Sequence, residues 1–480
     1  MEQVPDRYGS VAFPAAEAGG ALPTRAQRAA AGKAARAVAP LEAHRAFAPA
    51  PSRDPVGLLL GQAASRVPNL VPVRHGRMLV SPFAFFRGAA LPMAADLATT
   101  PTPGLRVQLC GDAHLANFGV YASPERRVVF DLNDFDETLP GPFEWDVKRL
   151  AASLVVAGRG NGYANEVRRK IVLAAVAAYR AAMREFAAMP VLDVWYSRLD
   201  VEDALARDRS RLSRRGVKKA DAFLTRVRSR DSLRELDKAT TVVDGRRRIV
   251  SNPPVVVPIE EIYSEVDAGA LYESMSKLLA KYRRTLQSNR RHLLDQFHLV
   301  HMARKVVGVG SVGTEAWVLL MQTGDGEPLF LQAKQAQLSV LAAYAGRSRY
   351  DNEGQRVVTG QHLMQAASDI FLGWQRSTGR DGRSIDHYVR QLRDWKYSAT
   401  IEEMIPSGML AYARRCAWTL ARAHARSGDR IAIAAYLGKS DRFDLALADF
   451  AETYADQNER DYAALAAAAA SGQVTAEHGI

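Results

Sequence analysis

Residues 106–137, RVQLCGDAHLANFGVYASPERRVVFDLNDFDE, decide how the rest of the chain is read. The apolar run 107–110 reads as a strand stopping at Gly111, followed by a loop over 111–117. A hairpin comes next, turned at Ser123-Pro124-Glu125. Its second arm, Val128-Val129-Phe130, delivers Asp134-Phe135-Asp136. Asp112, Asn117, Asp134 and Asp136 are therefore expected close together. Carboxylates this near one another repel, and a divalent cation shared between them removes the repulsion. The expected metal ligands are Asn117, Asp134 and Asp136, with Asp134 ahead of Asp136; Asp131 is read as supporting the strand. The plain competing explanation is a turn in which Asp and Asn side chains satisfy backbone groups.

Residues 304–336, RKVVGVGSVGTEAWVLLMQTGDGEPLFLQAKQA, form the second informative stretch. Gly308, Gly310 and Gly313 match G-x-G-x-x-G, a weak signal alone. A dinucleotide-binding fold needs a helix after the third glycine. Here a strand (316–321), a turn (323–326) and a second strand (329–334) follow, the last carrying Lys334. No Gly-Lys-Ser/Thr follows the glycines, so this is not a P-loop. A glycine turn covering phosphates, with a strand lysine reaching them, belongs to phosphoryl transfer in the kinase manner. Asp112 and Asn117 have the matching Asp-x-x-x-x-Asn spacing, in which the Asp serves the acceptor hydroxyl and the Asn a metal ion. The expected catalytic residues are Asp112, His114 and Asn117, with Gly308, Gly310, Ser311, Gly313 and Lys334 holding ATP, and Mg²⁺ as metal. Lys334 in a strand could instead be an edge-strand charge. The acidic partner of Lys334 stays open among Glu353 and the region of Gln361 and Gln365. Arg87 and Arg149 are candidates for anion contact, Asp146 a structural residue, and Cys110 and His424 core or support residues.

A chain of 480 residues exceeds what one core usually serves. Two cysteines give neither a disulfide framework nor a zinc pattern, and no apolar run approaches the roughly 20 residues of a membrane span, so a cytoplasmic enzyme is expected. The net charge of +12 is concentrated: residues 207–248 hold 15 Lys or Arg against six Asp or Glu, an excess of 9. A solvated helical face explains this run most plainly, with an anionic partner as the alternative. Aromatic residues for base stacking are nearly absent there, which argues against nucleic acid.

Four parts follow from the pattern: a flexible arm (1–55), a large lobe (56–300) with a basic helical insertion near 205–255, a small nucleotide lobe (301–396) whose residues 393–396 would form a hinge, and a helical segment (397–480) completing the large lobe. Ser81-Pro82 reads as a helix start. A long helical region from Trp145 to about Met189 breaks at 158–162, residues 260–300 are read as helical, and 409–425 as a strongly amphipathic helix.

The motifs SPFAFFRGAA, VQLCGDAHLANFG, FDLNDFDET, RKVVGVGSVG, YVRQLRDWK and YADQNERDYA resemble the bacterial family known as domain of unknown function 2252, over residues 55–465. More distantly, Gly111-Asp112-Ala113-His114-Leu115-Ala116-Asn117 is similar to the loop of aminoglycoside and choline kinases, with Asp146 as the residue bracing it. That resemblance implies an α+β, protein kinase-like two-lobe fold. The catalytic motifs here precede the glycine lobe, so the fold is expected to be circularly permuted. The expected activity is transfer of phosphate from Mg·ATP to a hydroxyl, on a small molecule ahead of a protein. A nucleotide-binding scaffold without activity, or nucleotidyl transfer, stands as the alternative. A metal-dependent phosphoesterase would need more paired histidines than these 10 offer.

Overall fold

The computed structural model describes residues 22–479, except 209–213, 230–235, 237, 307, 380–381 and 393–394. It is a mixed α+β molecule, mostly helical, with antiparallel sheets.

Around the 106–137 stretch, β1 (Arg106–Leu109) pairs with β4 (Leu139–Pro142), while β2 (Phe118–Ala122) and β3 (Val128–Leu132) form the expected hairpin, extended by β5 (Leu199–Asp200). Every residue of β3 is buried, and Val128, Phe130 and Leu132 belong to the main apolar cluster. Two long helices follow, Phe143–Gly160 and Asn165–Ala188, separated as the glycines predict. Pro406–Ser427 packs along Asn165–Ala188, and Arg442–Ala470 lies against Phe143–Gly160 and Asn165–Ala188. The main apolar cluster joins residues such as Phe143, Val172 and Met183 to Leu420, Phe443 and Phe450. Segments before and after the second sheet thus share one core.

That second sheet has six strands in the order β12-β13-β11-β10-β9-β8. They are β8 (Val256–Pro258), β9 (His298–Lys305), β10 (Ala316–Gln322), β11 (Pro328–Ala336), β12 (Gly373–Thr378) and β13 (Ser384–Gln391). The helix Glu353–Met364 connects β11 to β12 in the chain, started by Asn352, whose side chain accepts from Gln355 N at 2.9 Å. On the outer face Trp317, Leu331 and Val389 pack with Tyr282 of the helix Ala268–Arg283.

Three expectations need correction. The segment 260–300, read as helical, ends in β9, where polar His298, His301 and Arg304 mask the alternation of a strand that is buried only in part. The segment 1–55, read as a flexible arm, holds the helix Arg25–Val38, capped by Thr24 and Gln27. Arg28 pairs with Asp429 at 2.8 Å, and Arg36 donates to the carbonyls of Ala435 and Tyr436, each at 2.7 Å. Those partners lie some 400 residues away and leave no local sign. The basic run also contains the hairpin of β6 (Thr240–Val243) and β7 (Arg246–Ile249), besides its helices. Ile249 and Leu236 are buried against Phe330 and Leu320 of the sheet. Residues 393–394 of the expected hinge, residues 1–21 of the arm and parts of the basic run fall outside the described residues. No helix among those described is long and apolar enough to cross a membrane.

Candidate functional site

β1 ends against the first turn of the helix Phe143–Gly160, and Asp146 of that turn fastens the loop. Its carboxylate accepts from Cys110 N at 2.8 Å and Gly111 N at 3.1 Å, and lies 3.2 Å from His424 Nε2. Cys110 and His424 are fully buried, so both are support residues, as expected. The loop then turns Asp112 toward a cleft of about 810 Å³.

Asp112 is held from behind: Arg149 donates to its Oδ1 from Nε (2.8 Å) and Nη2 (2.7 Å). Arg149 in turn donates to Phe86 O at 2.7 Å and lies over the Phe86 ring, 4.0 Å from its centre. Its anion contact is therefore Asp112 itself. His114 Nε2 sits 3.5 Å from Asp112 Oδ2. Burial pushes the imidazole down to about 4, so it is neutral near pH 7. Asn117 ties the loop to the second motif: its Nδ2 donates to Asp112 O (2.9 Å) and Asp134 O (3.0 Å). Its Oδ1 is buried without a hydrogen-bond partner. A buried orphan acceptor costs about 1–3 kcal/mol, which a cation ligated there would offset.

Across the cleft, Lys334 lies on β11, an interior strand, with its side chain 2% exposed. The edge-charge explanation is thereby excluded. Its Nζ contacts Asp136 Oδ2, donates to Ser311 Oγ at 2.7 Å and sits 3.9 Å from Asp134 Oδ2. Burial opposes the charge, but Asp134 and Asp136 outweigh it and hold the ammonium above the ordinary lysine range. Asp134, against its own burial, is held below the carboxylate range by Lys334 and Arg390. Lysine and carboxylates nearly 200 residues apart in the chain thus meet in one place.

Asp136 was expected as a metal ligand, yet both its oxygens are engaged. Oδ2 takes Lys334 and Ser311 Oγ (3.1 Å), and Oδ1 accepts from Tyr388 OH at 2.8 Å. It fills the place of the open acidic partner of Lys334. Glu353 instead pairs with Arg356, Gln361 donates to Gln365 Oε1 at 2.9 Å, and Gln365 donates to Leu132 O at 2.6 Å. Asp131 supports its strand as read, accepting from Arg422 and from Ala366 N.

Gly308, Gly310 and Ser311, in the turn between β9 and β10, line the same cleft, whereas Gly313 does not and lies against Arg66. Gly308 and Gly313 have φ of 69° and 89°, where a β-carbon is disfavoured. The turn is clasped from the N-terminal helices: Val67 N donates to Gly313 O (2.8 Å), Arg66 to Val312 O and Arg77 to Gly308 O (2.6 Å). Sequence reasoning missed Arg66, Tyr388, Arg390 and Arg356 as parts of the site. Arg356 is buried, donating to Asp136 O at 2.9 Å and Thr138 O at 2.7 Å. Only Tyr388 and Arg390 stood in a quoted motif, and Arg66 carried no local signal. Lys396, from the expected hinge, lines the cleft; burial and Arg390 bring it down to about 7.

Among the described residues no group of three His, Cys, Asp or Glu side chains is placed to hold a metal. Asn117 and Asp134, two of the expected metal ligands, both line the cleft. No curated protein and no solved structure matches the chain. A model of the family described as "Uncharacterized protein conserved in bacteria" (DUF2252) matches residues 66–468, and the chain belongs to that family.

Proposed function

We propose that this protein transfers a phosphoryl group from Mg·ATP to a hydroxyl acceptor, on a circularly permuted kinase-like fold. One observation carries the reading: Lys334, Asp134 and Asp112 line a single cleft beneath a glycine turn, with Lys334 Nζ 3.9 Å from Asp134 Oδ2. The succession of glycine hairpin, lysine strand, helix and second hairpin adds support. So does the core shared by segments on either side of that sheet, which is what a permutation requires.

In this reading the glycine-turn amides and Lys334 hold the triphosphate. Asn117 Oδ1 and Asp134 Oδ2 would hold Mg²⁺, which when bound neutralises charge on the phosphates. Asp136 acts through Lys334, keeping the ammonium aimed into the cleft. Asp112, fixed by Arg149, orients the acceptor hydroxyl, and His114 braces the loop beside it. Catalysis by such a site is positioning plus charge neutralisation.

The pairing of Asp112 with Arg149 also favours a second reading, a nucleotide-binding scaffold that does not transfer. ATP labelled separately at the α and γ positions, incubated with the protein, Mg²⁺ and a bacterial extract, distinguishes them. Movement of γ label to an acceptor supports transfer; movement of α label means nucleotidyl transfer; bound ATP with neither moving leaves the scaffold.

A further inference from the structure

Phosphate binding by the turn and Lys334 leaves Arg87 of the cleft without a task. Arg87, at the end of the helix Pro82–Gly88, lines the cleft beside Asp112 and His114. It makes no hydrogen bond or ion pair among the described residues, and its Nε is buried with no partner. A guanidinium kept part-buried and unpaired is costly, and such groups ordinarily meet an oxyanion.

Three other cations of the cleft are arranged differently. Arg66, Arg390 and Lys396 each feel the charge of Asp136, and the last two also that of Asp134, the carboxylates beside Lys334. The acidic groups facing Arg87 are Glu402 and Asp112, on the side where the acceptor hydroxyl would lie. The tip of the glycine turn covers the backbone here, since a β-carbon on Gly310 would lie 3.2 Å from Arg87 O. Arg87 therefore stands under the turn, next to the Asp112 loop, and has no contact with Asp134, Asp136 or Lys334. Asp112 is already paired with Arg149, and neither Asp112 nor Glu402 comes within ion-pair distance of Arg87.

We propose that the acceptor carries an oxyanion, a phosphate or carboxylate near the reacting hydroxyl, and that Arg87 receives it through its planar fork. A polycationic aminocyclitol does not suit this wall. The inference rests on the phosphotransferase reading and adds to it the charge of the acceptor.

The test uses the full chain saturated with Mg²⁺ and a non-hydrolysable ATP analogue, so that the γ-phosphate position is filled. Inorganic phosphate, then acetate, is titrated while the melting temperature is followed. We expect saturable stabilisation by phosphate in the wild type, lost in Arg87→Met and partly restored in Arg87→Lys, with analogue affinity unchanged within about twofold. Equal stabilisation of wild type and Arg87→Met overturns the proposal, as does phosphate that displaces the analogue, which would put Arg87 in the triphosphate site. The acetate arm separates carboxylate from phosphate recognition, and binding of neither overturns the inference. If the analogue itself fails to bind, the phosphotransferase reading has failed, and the Arg87 dependence of phosphate binding is read without it. If Arg87→Met does not fold, Arg87→Lys carries the comparison: undiminished phosphate stabilisation there would mean that the fork is not used.

Discussion

At the scale of the residue, the site divides its carboxylates by what already touches them. Asp112 is held by Arg149 and has no contact with Lys334, so Asp112→Ala should lower turnover by at least about 100-fold and leave the Kd for Mg·ATP within about threefold. Asp134→Ala should instead weaken Mg·ATP binding about tenfold or more, read by calorimetry. Asp136→Asn removes the charge against Lys334 and should raise the ATP KM as well as lower kcat, since a positioning residue acts on both. Equal activity of the wild type and Asp112→Ala would remove the proposed role.

His387 gives a separate, pH-dependent prediction. It is buried on β13, and burial pushes it down to about 4 from an ordinary 6.5. Between those values the unfolded chain binds a proton that the folded chain refuses. Its contribution is therefore whole above pH 6.5 and is lost as the solution is acidified toward 4. Relative to His387→Gln, the wild type should lose up to about 2 kcal/mol more between pH 6.5 and 5 in urea unfolding. Parallel curves for the two proteins would contradict it.

At the scale of the element, two anchors set the geometry. The start of the Asp112 loop depends on Asp146, which accepts from two backbone amides. Asp146→Ala leaves both without that acceptor, Cys110 N buried and Gly111 N part-buried, and should cost about 2–4 kcal/mol of stability, at roughly 1–3 kcal/mol for a buried orphaned group. The urea midpoint reads this. The glycine turn is the second anchor. Gly313 has φ of 89°, and a β-carbon there would lie 3.0 Å from Arg66 Cβ. Gly313→Ala should therefore push the turn off Arg66 and raise the ATP Kd severalfold, without lowering kcat to the same degree. The Asp-x-x-x-x-Asn spacing, the glycine turn and the strand lysine were legible because each is local chemistry over a few residues. The clasp by Val67, Arg66 and Arg77 was not, because its partners lie more than 230 residues away and are backbone carbonyls, which any sequence supplies.

At the scale of the whole molecule, the cleft exists because the six-stranded sheet is held over the Asp112 loop by contacts from both directions. Arg356 reaches from the helix Glu353–Met364 to the backbone of Asp136 and Thr138, while Arg66 and Arg77 grip the turn from the N-terminal helices. A ligand spanning the cleft binds the folded state only, so Mg·ATP at 100 times its Kd should add about 2.7 kcal/mol of stability. The melting temperature should rise by a few degrees, and EDTA should cancel the rise by removing the metal that Asn117 and Asp134 are proposed to hold. A shift insensitive to EDTA would place the nucleotide elsewhere.

The residues of one turn or one strand determine their own chemistry, and so the sequence alone set the carboxylate loop, the glycine turn, Lys334 and the main helices. Periodicity and spacing are properties of neighbours along the chain. Which acid faces Lys334, which carboxylate stays open to a cation, and which guanidinium is left unpaired were decided only when distant segments folded together. Those choices depend on distances across the cleft, and a chain carries no record of such distances until its core has closed.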